Sequence, residues 1–371
     1  MNKVIVIGGD HHNTLGVIRG LGERGVKSNL ILVTPSNMTF VNYSRYVSSC
    51  IKLEDDSKIV ETLLIQYKNE QEKPVVICCS DSSSGVIDEN RSKLAPYFLL
   101  PGAEEQGRIS ELMSKKTMAE LAIEVGLSIP GTYYVGGQEE LDRIPLPCII
   151  KPLESRKGSK TEIAICRTKD ELNSYAAKHD ISKDQIQDFI DKDYEYQLIG
   201  CSTRNEIVIP GVSKILRPCK GSNTSYLHYT PLEDEFCDIE KCKEFVRRTG
   251  YRGLFSLEFL RDKQEKDYFM EINFRNDGNA ICVTAAGMSL PYIWYLDCIG
   301  EDYSSEKNKT IKSVYVMPDM AELKLLATRQ ISLKEYISDF KKTDRFMEYD
   351  KRDKRPFWKL VQYHICKRLS I

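Results

Sequence analysis

The sequence predicts a protein of mixed α/β and α+β class with two or three domains. Its 371 residues are too many for one ordinary hydrophobic core. About the first hundred residues alternate continuous apolar runs with helical patterns, which is typical of a parallel sheet built from βαβ units. From about residue 110 onward, helical patterns are followed by runs of alternating polar and apolar residues, which are typical of antiparallel strands.

The composition is that of an ordinary globular protein, with 41% hydrophobic and 29% charged residues. The formal net charge of −1 gives no reason to expect a nucleic-acid partner. The chain begins directly with a strand pattern and shows no cleavage site for a secretion signal. Its 12 cysteines are scattered, without a Cys-x-x-Cys pair, which is typical of reduced thiols. We therefore expect a cytoplasmic protein.

The parallel sheet is predicted from three apolar runs and one helix. KVIVIGG, NLILVT and PVVICCS are strand patterns, and TLGVIRGLGERG is a helix that ends at Gly25. The segment lacks a complete Gly-x-Gly-x-x-Gly pattern, so we do not predict a dinucleotide site. His11, His12 and Asn13 follow the first strand and Asp81 follows the last, which is the edge where such sheets place functional residues.

The next segment predicts a helix and then strands. The helical pattern in ISELMSKKTMAELAIEVG stops at Gly126, and CIIKPL is a buried strand that contains Lys151. The polar turn ESRKGSK lies between two apolar runs and predicts a hairpin. Further strands are expected in QIQDFI and EYQLIGCSTRNEIVIPGVSKILRPC, and a helix in CKEFVRRTGY.

Two features of this segment predict contacts with phosphate groups. Lys151 leaves an apolar strand at its end, and the following turn offers backbone amides at Gly158 beside Lys157 and Lys160. Each feature has a plainer interpretation, because a lysine at a strand end usually extends to solvent and a lysine-rich turn is usually solvated. Together they favour a nucleotide triphosphate.

A second hairpin predicts a metal site. In YFMEINFR the alternation places Glu271, Asn273 and Arg275 on one face of a strand. The preceding strand, LFSLEFL, can place Glu258 beside them. Two carboxylates and an amide oxygen suit Mg²⁺, and an arginine can grip phosphate oxygens. The hairpin alone leaves open that this is simply a polar, solvent-facing side of an antiparallel sheet.

These motifs resemble the ATP-grasp superfamily, in which ATP binds between two α+β lobes. The resemblance covers roughly residues 105 to 300, and it implies a Rossmann-like domain before the grasp. The expected domains are 1–104 (Rossmann-like), 105–190 (first lobe), 191–310 (second lobe with the metal hairpin) and 311–371 (C-terminal extension with a basic tail).

The resemblance also implies roles for individual residues. SKKTMAELAIEVG resembles the entry helix, whose lysine contacts ATP, here Lys115 with Lys116 as a rival. CIIKP resembles the strand that carries the second ATP lysine, Lys151. IQDFI resembles the hinge between the lobes that binds adenine through its backbone. The resemblance implies that Gly158 and Lys160 cover the phosphates and that the hinge residues Gln187, Phe189 and Ile190 contact the adenine. Glu195 would contact the ribose, with Asp193 as the alternative.

The strands SLEFL and MEINFR resemble the metal-binding hairpin of the superfamily. The implied Mg²⁺ ligands are Glu258, Glu271 and Asn273, and Arg275 would contact phosphate. Phe274 stands where the family often has proline, which indicates a divergent branch. EINFRNDGNAICVTAAG and SDSSSGVID most resemble the carboxylate–amine ligases that include D-aspartate ligases.

This branch implies an ATP-dependent ligase that joins a small-molecule carboxylate to an amine through an acyl phosphate, releasing ADP and phosphate. ATP and two Mg²⁺ ions, or Mn²⁺ in their place, are the expected cofactors. Arg217, in SKILRPC, is a candidate to bind the acyl phosphate or the substrate carboxylate, although a surface arginine is an equal alternative. A small-molecule kinase with the same cleft and a nucleotide-binding regulatory protein are the alternative functions. The residues specify neither the substrates nor the oligomeric state.

The basic tail, YDKRDKRPFWKLVQYHICKRLSI, has two interpretations. It could lie on an anionic membrane surface or against a partner that carries a lipid-linked substrate. Ordinary amphipathicity favours instead a helix that packs its Trp358, Val361 and Ile365 face on the body of the protein.

Overall fold

The structure is a computed structural model that describes residues 2–136, 138–152, 163–218, 225–232 and 236–369, without the side chains of 138 and 367–369. Within these residues the strands form three sheets, of four, four and eight strands. No helix of the described residues is long and apolar enough to cross a membrane.

The first sheet is parallel and follows from the apolar runs at the start of the chain. Its strands, in the order β3-β2-β1-β4, are β1 (Val4–Gly8), β2 (Ser28–Val33), β3 (Val47–Leu53) and β4 (Val75–Cys78). The helices of this segment are α1 (His12–Gly22), α2 (Ile59–Tyr67), α3 (Asp81–Glu89) and α4 (Arg91–Leu94). Ser80 begins α3 with a capping box, in which its hydroxyl accepts from the Ser83 N–H. The carboxyl ends of β1 and β4 thereby direct α1 and α3 to the same edge of the sheet.

The second sheet is antiparallel, in the order β5-β8-β6-β7. Its strands are β5 (Thr132–Tyr133), β6 (Cys148–Pro152), β7 (Ala164–Cys166) and β8 (Asp184–Asp188). The helices of this part are α5 (Arg108–Leu112), α6 (Lys115–Glu124), α7 (Gln138–Asp142) and α8 (Lys169–Ala176). The apolar side chains of Cys148, Ile150 and Leu172 are buried in a small core between β6 and α8.

The third sheet runs β14-β13-β9-β11-β12-β15-β16, with β10 paired to β9. Its strands are β9 (Lys192–Ser202), β10 (Ile207–Val208), β11 (Gly211–Pro218), β12 (Ser225–Pro231), β13 (Gly253–Asp262), β14 (Asp267–Asn273), β15 (Val314–Met317) and β16 (Arg345–Phe346). Helix α9 (Ile239–Thr249) begins at an Asp238 cap and ends at Gly250, whose φ of 69° is left-handed. Aromatic residues such as Phe245, Phe255 and Phe269 fill the core beneath α9.

Helices α10 (Ile281–Ala286), α11 (Leu290–Ile299) and α12 (Ser304–Lys307) follow the metal hairpin predicted above. Helices α10 and α11 contact α1, so that the first sheet and the third share one large core. The buried Trp294 of α11 donates its indole N–H to the Val76 carbonyl of β4 at 3.2 Å. This core holds the carboxyl edge of the first sheet next to the end of β14.

The C-terminal extension comprises α13 (Asp319–Ala327), α14 (Leu333–Lys342) and α15 (Arg355–Leu369). It is tied to the first domain through α1. Arg19 of α1 is fully buried and donates to the Met347, Glu348 and Asp353 carbonyls.

Two expectations about these elements are wrong. Strict alternation along β14 fails at Met270, because the register shifts between Glu258 and Phe259 and leaves Met270 as the extra residue of a β-bulge. The predicted packing of the tail also fails, because Trp358 is 60% and Ile365 54% exposed while the opposite side of α15 packs on the body. The domain boundaries stay a prediction.

Candidate active site

A cleft of about 830 Å³ lies between the second sheet and the third. Strands β6, β7 and β8 line one side, and β9, β13 and β14 line the other. Eight of the predicted site residues border it: Lys115, Lys151, Gln187, Phe189, Ile190, Glu195, Glu258 and Glu271. The predicted Gly158 and Lys160 lie outside the described residues.

One end of the cleft is apolar and suits a flat heterocycle. Ile149 and Ile165 face it from the second sheet, and Leu260 and the bulged Met270 face it from the third. The bulge explains why Met270 and Glu271, neighbours in the strand, both reach the cleft.

The link between the two sheets offers a backbone donor to this apolar end. The Phe189 N–H is engaged with the Pro147 carbonyl at 3.1 Å, and the Ile190 carbonyl accepts from the Lys192 N–H at 2.9 Å. The Ile190 N–H has no hydrogen-bond partner within the described ranges. Of the predicted hinge groups, this N–H is therefore free to donate to a ligand.

Two lysine ammonium groups enter the middle of the cleft. Lys115 Nζ donates to the Pro152 carbonyl at 2.6 Å, and Lys151 Nζ donates to Gln187 Oε1 at 3.2 Å. Burial lowers the pKa of both, and the charge of Lys115 lowers the pKa of Lys151 further. Neither forms an ion pair with a carboxylate in the part of the chain that the structure describes. The rival Lys116 points away, with its Nζ over the Tyr134 ring.

Glu195 borders the cleft, while the alternative ribose ligand, Asp193, is exposed and is not part of the lining among the described residues. The Glu195 carboxylate forms an ion pair with Lys192, which also borders the cleft. The geometry therefore favours Glu195 for the predicted ribose contact.

The two predicted carboxylates face each other across the β13–β14 hairpin. Glu258 pairs with Glu271 in the register, and Ser256 pairs with Asn273. Asn273 Nδ2 donates to Glu258 Oε1 at 3.0 Å, and Gln197 Nε2 donates to the same oxygen at 3.2 Å. Burial first, and then the charge of Glu271, raise the pKa of the Glu258 carboxyl above its usual range. The Glu258 carboxyl therefore binds its proton more tightly than an exposed glutamate does.

This set of oxygen ligands fits Mg²⁺. The described residues contain no group of three or more His, Cys, Asp or Glu that could hold a metal unaided. Mg²⁺ commonly uses one or two carboxylates and completes its shell with water and substrate phosphates. Glu258 and Glu271 with the Asn273 amide oxygen match that partial set.

Arg275 lies at the end of β14, where the third sheet meets the first. Its Nη2 donates to Asn273 Oδ1 at 3.0 Å, and its Nε donates to Asp81 Oδ1 at 2.8 Å. Burial lowers the pKa of Arg275, but the carboxylates of Asp81 and Asp277 outweigh it, so the pKa is raised. The guanidinium is therefore charged and held against the carboxyl edge of the first sheet.

The residues singled out after β1 lie beside this arginine. Burial first, and then the charge of the Arg275 guanidinium, lower the pKa of His11. Asn13 Nδ2 donates to the Asn276 carbonyl at 2.9 Å, and so ties α1 to the residue that follows Arg275. The edge of the first sheet where functional residues are expected therefore adjoins the β13–β14 hairpin.

Three predicted residues of the described ranges are not part of the cleft lining, namely Asn273, Arg275 and Arg217. Arg217 pairs instead with acidic residues. Its guanidinium forms a bidentate pair with Glu322, at 2.7 and 3.1 Å, and contacts Asp339 at 2.8 Å. Both carboxylates belong to the C-terminal extension. Its position corrects the expectation of a catalytic arginine, because two acidic partners already occupy its donors.

Sequence reasoning missed Gln197. It lies opposite Glu258 in the β9–β13 register, donates to that carboxylate, and accepts from Asn279 Nδ2 at 2.9 Å. A usable signal was present, because Glu195 and Gln197 are two apart in the predicted strand EYQLIG and therefore face the same side.

The chain has relatives among known proteins, although no family model matches it. It is 26% identical over 240 residues to the formate-dependent phosphoribosylglycinamide formyltransferase of a Sulfurovum species, covering 62% of this chain and 59% of that protein. It is 28% identical over 196 residues to the protein of that name from a Nitratiruptor species, covering 48% and 47%. The chain thus spans less than two thirds of these relatives.

Solved structures match more of its length at lower identity. The N5-carboxyaminoimidazole synthetase of Staphylococcus aureus has a TM-score of 0.67 at 16% identity, over 90% of this chain and 88% of that chain. The L-amino acid ligase of Bacillus licheniformis has a TM-score of 0.62 at 16% identity, over 84% and 78%. The biotin carboxylase of Campylobacter jejuni has a TM-score of 0.65 at 14% identity, over 85% and 74%. These similarities show a shared fold, and they confirm the predicted fold class.

Proposed function

We propose that this chain, which has the ATP-grasp fold, is an ATP-dependent ligase that joins a carboxylate to an amine through an acyl phosphate. One observation carries the proposal: two lysines without carboxylate partners among the described residues share one cleft with the carboxylates of Glu258 and Glu271, and the Asn273 amide is hydrogen-bonded to Glu258. Cations on one wall and metal ligands on the other are what a triphosphate with Mg²⁺ requires.

In the proposed complex the adenine lies at the apolar end of the cleft. Ile165 would cover one ring face and Met270 the other, and the free Ile190 N–H would donate to a ring nitrogen. Glu195 would accept from the ribose hydroxyls, and Lys115 and Lys151 would contact the phosphates. Gly158 and Lys160 are proposed, from the sequence alone, to cover the phosphates.

Glu258, Glu271 and Asn273 would hold Mg²⁺, and Mn²⁺ could take its place. We propose two ions that would share Glu271, because this carboxylate pairs with Glu258 in the hairpin and its negative charge opposes the lowering of the pKa of both Lys115 and Lys151. When bound, the metal neutralises phosphate charge and polarises the transferred phosphoryl group. Lys151 and Arg275 would supply the remaining positive charge.

In the first step a substrate carboxylate oxygen forms a bond to the γ-phosphorus, and the bond from that phosphorus to the β-phosphate oxygen breaks, releasing ADP. In the second step the amine nitrogen attacks the acyl carbon, and the carbon–oxygen bond breaks, releasing phosphate. Both steps depend on positioning and charge neutralisation rather than on a protein nucleophile. Arg275 would stabilise the negative charge of the phosphoryl group and of the oxyanion that follows it.

The substrates would bind at the region beside Arg275, against His11 and Asn13. The names of similar proteins indicate which small acids to test. The two sequence relatives are named as formate-dependent, and one structural neighbour is named as an L-amino acid ligase, so formate and L-amino acids are candidates. The resemblance to D-aspartate ligases adds D-amino acids.

The test is release of ADP and free phosphate from Mg·ATP with pooled formate, bicarbonate and L- and D-amino acids, with and without hydroxylamine as a surrogate amine. The ligase predicts equal ADP and phosphate release and formation of a hydroxamate. ADP without free phosphate, with a stable phosphorylated product, would indicate the alternative small-molecule kinase. Mg·ATP binding without turnover on any acid would indicate the alternative regulatory protein.

A further inference from the structure

Helix α15 packs on the body with one side only. Pro356 is buried, Leu360 packs against the large core, and the helix contacts the short turn Val41–Tyr43 of the first domain. On another side, Trp358 is 60% and Ile365 54% exposed. Positions seven apart lie on the same face of a helix. The body therefore fixes this helix and leaves an apolar stripe facing solvent.

The surroundings of this stripe are positively charged. From Lys354 to Ile371 the sequence contains five Lys or Arg and no Asp or Glu. Lys354 and Arg355 are exposed, and Lys359 Nζ lies 4.8 Å from the centre of the Tyr43 ring. The last acidic residue before the helix, Asp353, is buried and paired with Arg19 at 3.1 Å. No local carboxylate of the described residues thus neutralises the helix.

Helix α14 offers a useful contrast. It also exposes apolar residues, with Leu333 60% and Ile337 44% exposed. Its charges are mixed, however, because Glu335 caps its first turn and Asp339 pairs with Arg217. An exposed apolar stripe on a helix whose own sequence has basic but no acidic residues is a property of α15, and it is complementary to a surface that is both apolar and anionic.

We propose that α15 binds the surface of an anionic lipid bilayer, with Trp358 and Ile365 inserted at the headgroup level and the basic side chains against the lipid phosphates. Amphipathic helices that lie on membranes combine these features. Because Pro356 and Leu360 already hold the helix on the body, the helix need not fold on binding. The proposal does not depend on the proposed ligase activity.

The protein carries its own reporter for this interaction. Its two tryptophans differ sharply, since Trp294 is 2% exposed and Trp358 60% exposed. Full-length protein would be titrated with vesicles of phosphatidylglycerol and phosphatidylcholine in equal parts, and with vesicles of phosphatidylcholine alone. We expect a saturable blue shift of the emission and co-sedimentation with the anionic vesicles only, both weakened by added salt.

Variants identify the binding face. Trp358→Phe should keep sedimentation within a few fold but lose the spectral shift, because only Trp294 is left. Ile365→Glu should reduce binding at least about tenfold. Replacing Lys354, Arg355 and Lys359 together with Gln should reduce it on the order of a hundredfold, at about fivefold for each charge. Leu333→Glu, equally exposed on α14, is the matched control and should bind normally.

Three outcomes would overturn the proposal. The first is equal binding to neutral and anionic vesicles. The second is an absence of binding to either, which would leave a protein partner as the occupant of the stripe. The third is a loss in Leu333→Glu as large as that in Ile365→Glu.

Discussion

The carboxylate of Glu271 borders the cleft and pairs with Glu258 on the same wall of the proposed active site, where the two would hold the metal. We predict that Glu271→Gln lowers turnover on the order of a thousandfold or more, because the amide keeps the shape but removes the charge needed for the metal. The measurement is ADP release under saturating Mg·ATP. The melting temperature should change little, and Glu240→Gln, exposed on α9, is a matched control. Near-normal turnover in Glu271→Gln would remove the hairpin from the mechanism.

Lys151 presents its ammonium to the cleft without a carboxylate partner among the described residues. Lys151→Met should therefore weaken Mg·ATP binding about tenfold or more, since hydrogen bonds to charged groups contribute about 1.5–3 kcal/mol. Calorimetry of nucleotide binding measures this directly. Lys116→Met is the control, because that ammonium lies over the Tyr134 ring rather than in the cleft. Equal ATP affinity in the two variants would contradict the assignment.

Glu348 and Asp319 form a buried pair of acidic residues. The stability of the folded protein therefore depends on whether the Glu348 carboxyl is protonated. The Asp319 N–H donates to Glu348 Oε2 at 2.8 Å, and the Glu348 N–H donates to Asp319 Oδ2 at 2.8 Å. Burial first, and then Asp319, raise the pKa of Glu348 well above its ordinary value of 4.5. The folded state therefore binds the proton more tightly than the unfolded state. This contribution to stability is present below about pH 4.5 and is lost as the pH rises toward the folded pKa.

Glu348→Gln tests this sign. The amide can donate to Asp319 without titrating, so the variant should be more stable than the wild type above neutral pH, and the difference should shrink toward pH 5. Melting temperatures between pH 5 and 9 measure it. Glu335→Gln, at the exposed start of α14, is the control. A constant difference across this range would show that Glu348 does not titrate differently on folding.

At the scale of elements, the bulge in β14 shows what a period-two pattern can and cannot predict. The alternation in YFMEINFR correctly placed Glu271 opposite Glu258, because the two residues are paired in the register of the hairpin. It missed that Met270 also faces the cleft. A bulge depends on how the partner strand twists, and no residue in the pattern marks it.

Packing between distant elements was equally invisible in the sequence. The partners of Arg217 are more than a hundred positions away in the chain, so a strand pattern could not predict the ion pairs with Glu322 and Asp339. Amphipathicity of α15 predicted a helix with an apolar stripe, but not which of its sides would meet the Val41–Tyr43 turn. Local periodicity predicts an element and its faces, whereas the choice of face is made by the tertiary fold.

Strand β9 lies between β13 and β11 at the centre of the third sheet. At Gly200 of this strand, the Phe255 side chain and the Val208 backbone approach too closely to leave room for a side chain. A Cβ there would lie 2.5 Å from Phe255 Cζ and 2.7 Å from the Val208 carbonyl oxygen. Gly200→Ala should therefore lower stability by about 1–3 kcal/mol, measured as a lower melting temperature. Gly16→Ala in α1 is the matched control: its Cβ would be 3.5 Å from the nearest atom, and helical alanine should stabilise by about 0.5–1 kcal/mol. A stable Gly200→Ala protein would mean that Phe255 can move aside.

At the scale of the whole molecule, the C-terminal extension joins the parts that form the site. Arg217 ties the third sheet to α13 and α14, and Arg19 ties α1 to the segment before α15. Since α1 also carries the residues beside Arg275, the extension supports the region where the substrates are proposed to bind. The sequence of the extension contains no motif of the nucleotide site. It contributes to the proposed site by holding α1 in place.

The buried pair at this junction gives the last prediction. Asp353 accepts from Arg19 Nε at 3.1 Å, from Ser44 Oγ at 2.7 Å and from the Arg45 N–H at 2.9 Å. Asp353→Ala should cost about 3–5 kcal/mol, because it leaves the fully buried Arg19 without its counter-charge. Arg19→Met with Asp353→Ala should cost less than the sum of the two single changes, since no unpaired charge is left.

Arg352→Ala is the control: it removes a 48% exposed arginine from an ion pair with Glu23 at the same junction and should cost at most about 1 kcal/mol. Chemical denaturation of the four variants measures these differences. If the double change is simply additive, the two side chains do not act as a pair, and the carbonyl contacts of Arg19 must hold the extension in place.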